Sequence, residues 1–265
     1  MYTTSRKAAC QHCHLAGAKP LSNSVPIQSR DRLVEALREQ MTRLETARRT
    51  GDDEAVVPSG CQALDRLLPD RGFRRGTLVE WLAAGEGSGR ETLALGTARE
   101  ACREGGAVVL LDQAGQFYPP AAIRLGIPLE QMIVVRARGE ADNAWALDQS
   151  LRCPAVAAAV AWPEKLDGHA FRRLQLAVEQ GGGLGLLMRP QRARHEPSWA
   201  EVRLWIEPLS SAAPRAGRRL KIQVLRSRDR LGGGSVEVEI DHETHLVHPA
   251  RPLAHPTDPR RAAGA

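Results

Sequence analysis

T-L-V-E-W-L-A-A-G-E-G-S-G-R-E-T-L-A-L-G-T-A-R-E-A-C-R-E, residues 77 to 104, carries the pattern on which the fold turns. T-L-V-E-W-L is a short β-rich apolar run, and the segment from Glu91 to Glu104 has helical periodicity that stops at Gly105 and Gly106. Between them lies A-G-E-G-S-G-R-E-T, residues 84 to 92. Strand, glycine loop and helix in that order form the setting in which backbone N–H groups cradle phosphate, with the consensus G-x-x-x-x-G-K-[ST]. Ala84 stands at the first glycine, Arg90 at the lysine and Glu91 at the magnesium-binding hydroxyl. Gly85, Gly87, Ser88, Gly89 and Thr92 complete the loop and helix start.

Working outward, further buried strands are predicted at 107–111 (A-V-V-L-L), 132–135 (M-I-V-V), 155–162 (A-V-A-A-A-V-A-W) and 184–188 (L-G-L-L-M). Helical segments at 141–152 and 170–180 separate the later ones. Continuous apolar strands joined by helices imply an α/β fold with a mostly parallel sheet covered on both faces. After Ser198 the texture changes to alternation, and G-G-G at 232–234 predicts a hairpin between 219–230 and 235–241, an antiparallel extension of the sheet.

The flanks differ from this core. Residues 1–29 read as a disordered tail and 250–265 as another, rich in Pro, Ala and Arg. Between 30 and 55 lie a helix and a polar linker. Leu33, Leu37, Met41 and Leu44 share one face of that helix, a stripe that docks either onto its own domain or onto a neighbour. C-Q-H-C-H at 10–14 fits a haem-attachment pattern, but no export signal accompanies it and no second ligand pair follows. A disordered tail, an upstream-extended start codon or an adventitious metal contact are the readings, and no metal or cofactor is predicted. An odd cysteine count and the lack of a long apolar run predict a cytoplasmic protein with no membrane association. The net charge of +6 permits an acidic partner without requiring one.

From about residue 56 to 249 the order of elements resembles a RecA-fold ATPase core. V-P-S-G-C-Q-A-L-D-R-L-L (57–68) resembles the entry to that core, R-R-G-T-L-V-E-W (74–81) its first strand, A-E-V-R-L-W-I (200–206) the strand after its second DNA-binding loop, and L-R-S-R-D-R (225–230) a later strand that bears paired lysines. Within the superfamily the chain is most similar to the ImuA group, SulA-related proteins encoded with ImuB, a relative of Y-family polymerases.

The resemblance implies three catalytic positions, and this sequence departs from it at each. Glu91 replaces the magnesium-binding hydroxyl. Asp112 at a strand end is followed by Gln113 and Ala114, where the water-activating glutamate belongs. The strand at 155–162 runs into Ala161, Trp162 and Pro163, where an aspartate belongs. A carboxylate about 4 Å from a phosphate charge costs roughly 4 kcal/mol at an effective dielectric near 20. The reading is a remnant loop with no catalytic residue, in an adaptor of damage-induced translesion synthesis that contacts RecA, an ImuB-like protein or both. A DNA-dependent ATPase with a divergent loop is the alternative, and a SulA-like division inhibitor a weaker third. Arg189, Arg192 and Arg194, at the position of the second DNA-binding loop, and Arg226 and Arg228, at the paired lysines, are candidates for weak DNA binding or a partner contact, or else solvated basic groups. The N-terminal helix implies docking on RecA or self-association.

Overall fold

A computed structural model describes residues 32, 34–36, 39, 56–85, 87–210, 217–227, 230–241 and 247–250. The chain divides into two units, residues 1–38 and 39–265. In the first, residues 32 and 34–36 are helical, as is residue 39 at the start of the second. The stripe residues Leu33, Leu37, Met41 and Leu44 lie outside the described residues.

In the second unit the apolar runs form strands β3 (Thr77–Ala83), β4 (Ala107–Leu111), β5 (Met132–Val135), β6 (Val156–Ala161) and β7 (Leu184–Arg189). They follow two short strands, β1 (Val56–Val57) and β2 (Phe73–Arg74), which pair with each other. Strands β8 (Val202–Pro208), β9 (Arg218–Ser227), β10 (Arg230–Leu231), β11 (Ser235–Ile240) and β12 (Val247–Pro249) complete the set. The main sheet has ten strands, in the order β12-β11-β9-β8-β3-β7-β6-β4-β5, with β10 paired to β9. From β8 to β5 all neighbours are parallel. From β8 to β12 they are antiparallel. The α/β class, the mostly parallel sheet and its antiparallel extension follow the sequence reading.

Among the described residues of this unit the α-helices are α1 (Gln62–Asp65), α2 (Arg90–Ala101), α3 (Pro119–Arg124), α4 (Glu140–Arg152) and α5 (Gly168–Gly181). Successive strand side chains point to opposite faces, so each parallel strand feeds two cores. Val79, Trp81, Val108 and Leu110 join Leu93 and Ala98 of α2 on one face. Leu78, Val109 and Leu111 join Leu147 of α4 and Phe171 and Leu174 of α5 on the other. Asp167 caps α5 by accepting the Ala170 N–H at 2.7 Å, the role a short carboxylate plays at an N-terminus.

One turn sits elsewhere than its glycines suggest. Arg230 pairs with Ser227 and Ser235 with Gln223, so the antiparallel pairing with β9 is already formed before G-G-G, and the glycines lie alongside β9. There Gly233 donates to Val224 O and Val224 to Gly234 O, each at 3.0 Å. A Cβ at Gly233 would lie 2.8 Å from Val224 Cγ1, so Gly233 serves close approach, while Gly232 and Gly234 take the left-handed φ of 76° and 88° that glycine allows.

Candidate functional site: the glycine loop and the strand ends beside it

The described part of the loop between β3 and α2 turns on two glycines. Gly87 and Gly89 have φ of 66° and 83°, the left-handed region that glycine enters without strain. A Cβ on Gly89 would stand 2.8 Å from Leu220 Cδ1 of β9, whereas around Gly85 and Gly87 the space is open. The antiparallel extension therefore packs against the helix start. Ser88 is buried, and its hydroxyl has no hydrogen-bond partner among the described residues. Thr92 is half-buried in the first turn of α2.

The two substituted positions bind each other. Arg90 donates through Nε to Glu91 Oε1 at 2.7 Å and through Nη1 to the carbonyl of Arg189 at 2.7 Å. The guanidinium thus spends its charge on a neighbouring carboxylate and the end of β7, and Glu91 places its own negative charge at the positive end of the helix dipole. A point-charge lysine does neither in the same way.

The other two positions have structural uses. Asp112, buried at the end of β4, accepts the Gln116 N–H at 2.9 Å and pairs with Arg136 at 3.2 Å. It closes the turn that carries Gln113 and Ala114, both exposed. At the end of β6, Trp162 packs on the core and the Pro163 carbonyl accepts Arg189 Nη1 at 2.7 Å.

That last bond belongs to a buried network that sequence reasoning missed. Arg189 and Glu80 have side chains 1% exposed and meet at 3.2 Å. Arg189 also reaches Glu196 at 2.5 Å, and Arg203 reaches the second oxygen of Glu80 at 2.5 Å and the Ala193 carbonyl at 2.7 Å. Arg189 is therefore corrected: its guanidinium is inside the fold, fully paired, and not a contact for DNA or a partner. The sequence signal was a glutamate in the middle of an otherwise apolar strand, which implies a buried countercharge.

The remaining basic candidates are anchored at the surface. Arg192 pairs with Glu164 at 2.8 Å, and Arg194 lies 4.6 Å over the Trp205 ring. Arg226 donates to the Ser198 carbonyl at 2.9 Å. Arg228 lies outside the described residues. Nearby, Arg172 stacks over the exposed Trp199 at 5.5 Å. The structure brings Arg192 and Arg194 together in one segment, 190–196, and ties the start of that segment to the glycine loop through Arg189. Among the described residues there is no group of three or more His, Cys, Asp or Glu placed to hold a metal, and no helix long and apolar enough to cross a membrane.

Comparison with known proteins fits this architecture. Residues 38–156 match the family model of the RecA N-terminal domain. The ImuA protein of Caulobacter vibrioides is 36% identical over 163 residues, covering 56% of this chain and 66% of that protein. The RecA protein of Chlorobaculum parvum is 40% identical over 91 residues, 32% of this chain and 26% of that protein. The crystal structure of the RadB recombinase superposes with a TM-score of 0.57 over 74% of this chain and 100% of its own, at 17% identity, a likeness of fold. Strand order, the RecA N-terminal match and the ImuA likeness place the chain among the ImuA-type proteins of the RecA fold.

Proposed function

We propose that the protein is a non-catalytic RecA-fold adaptor in damage-induced translesion DNA synthesis, acting through contacts with RecA, an ImuB-like polymerase relative, or both. The observation that carries the reading is the engagement of Arg90 by Glu91 and by the Arg189 carbonyl. In the place where a phosphate-binding lysine and a magnesium ligand act together, this chain has an internal ion pair. Gln113 and Ala114, after the end of β4, bring no carboxylate where the water-activating glutamate belongs, so water activation, worth about two to four orders of magnitude, lacks that residue. The ImuA likeness supplies the cellular setting, and the basic, reducing-compartment composition agrees with work on DNA in the cytoplasm.

A second reading, a DNA-dependent ATPase with a divergent loop, draws on the preserved left-handed glycines and the unpartnered buried hydroxyl of Ser88.

The adaptor reading predicts a stable complex of the purified chain with RecA or with an ImuB-like protein, seen by co-elution on a sizing column without nucleotide. Leu37→Asp with Leu44→Asp removes the apolar stripe, each large side chain of which contributes roughly 1.5 to 3 kcal/mol when buried. The double variant is expected to lose co-elution while keeping its thermal transition. Any binding to single-stranded DNA is expected to be weak and to fall with salt, with a slope on the order of −3 or −4 in log affinity against log salt. Failure of both proteins to co-elute with the wild-type chain would overturn the adaptor reading.

A further inference from the structure

Segment 190–196 leaves the end of β7 as a short helical turn and presents an open basic depression of about 510 Å³, lined by Pro190, Gln191, Arg192, Arg194 and His195. The core grips this segment at three points. At its start, the Arg189 carbonyl accepts from Arg90 at the glycine loop. In its middle, the Ala193 carbonyl accepts from Arg203 of β8. At its end, Glu196 accepts from the buried Arg189 guanidinium, which is also held by Glu80 and the Pro163 carbonyl. Charge-assisted bonds of this kind are roughly twice as strong as neutral ones, and the buried Arg189 guanidinium does not rearrange without leaving Glu80 with Arg203 as its remaining partner.

We infer that Glu196 and Arg189 form a latch that holds segment 190–196 in one conformation with no ligand. The side chains of Arg192, Arg194 and His195 are thereby carried on a fixed backbone. Glu196 is the accessible half of the latch. Its side chain is 35% exposed, whereas those of Arg189 and Glu80 are each 1% exposed. Removing it frees the end of the segment while Arg189 keeps Glu80 and Pro163. The inference does not rest on the proposed function, since the contacts involve no nucleotide and no other protein.

The test is limited proteolysis of the full chain by trypsin without nucleotide, with cuts after Arg192 and Arg194 followed by mass spectrometry. Such cuts report local opening of the segment. Glu196→Ala is expected to speed both cuts by about tenfold or more, with the thermal transition retained and cuts between residues 56 and 189 unchanged. Glu164→Ala, which removes only the outer partner of Arg192, is expected to stay within about twofold of wild type, because an exposed pair contributes little. The latch is overturned if Glu196→Ala leaves the two cuts at the wild-type rate, or if Glu164→Ala speeds them equally. It is also overturned if Glu196→Ala speeds cleavage throughout residues 56–210, since Glu196 would then hold the whole fold rather than one segment.

Discussion

Arg189→Met is expected to destabilise the protein by about 3 to 5 kcal/mol, the cost of removing one partner from a buried ion pair. Glu80 would retain Arg203 alone, inside the first core strand, and Glu196 and the Pro163 carbonyl would lose their donor. Lysine does not repair the site, because one ammonium lacks the planar fork that reaches Glu80, Pro163 and Glu196 in three directions. Arg192→Met, three residues on and paired at the surface, is expected to stay within about 0.5 kcal/mol of wild type. Urea denaturation followed by circular dichroism distinguishes the two. Equal midpoints for Arg189→Met and Arg192→Met would contradict a buried network centred on Arg189.

The second large effect concerns the loop. A variant that combines Ala84→Gly, Arg90→Lys and Glu91→Thr restores the phosphate-binding consensus, frees the helix N-terminus of its own carboxylate, and leaves the Arg189 carbonyl without its arginine donor. Relief of roughly 4 kcal/mol of repulsion corresponds to an affinity gain for magnesium-ATP on the order of a thousandfold. Turnover is still expected at background, because Gln113 and Ala114 provide no general base. Calorimetry checks the first half and phosphate release the second. Binding unchanged from wild type would mean that the loop backbone, and not its two side chains, sets the affinity.

What the sequence revealed and what it hid follow from the range of the interactions. Strands β4 to β7 are short apolar runs bounded by turn residues, so local pattern sufficed to place them and to imply a mostly parallel sheet, whereas their order in it, β7-β6-β4-β5, rests on contacts that no local pattern carries. The loop was legible because its consensus is contiguous, and the substitutions at Arg90 and Glu91 are visible within it. The mutual engagement of those two side chains was not, since it depends on rotamers and on a carbonyl 99 residues away. The Glu80–Arg189 pair spans 109 residues, and nothing local links them. Arg189 stands beside Arg192 and Arg194 in the sequence and so shared their reading as a surface group, yet as the last residue of a buried strand its side chain turns inward. The triple glycine misled for a similar reason: glycine marks both reversals and close approach, and only the register of β9 with β10 and β11 separates them.

The central claim, that this RecA fold works without nucleotide turnover, is tested most directly by steady-state ATP hydrolysis of the purified chain, with and without saturating single-stranded DNA, beside an Arg90→Ala variant. The wild-type rate is expected to equal that of the variant and the buffer blank under both conditions. DNA-stimulated hydrolysis by the wild-type chain that is lost in Arg90→Ala would contradict it.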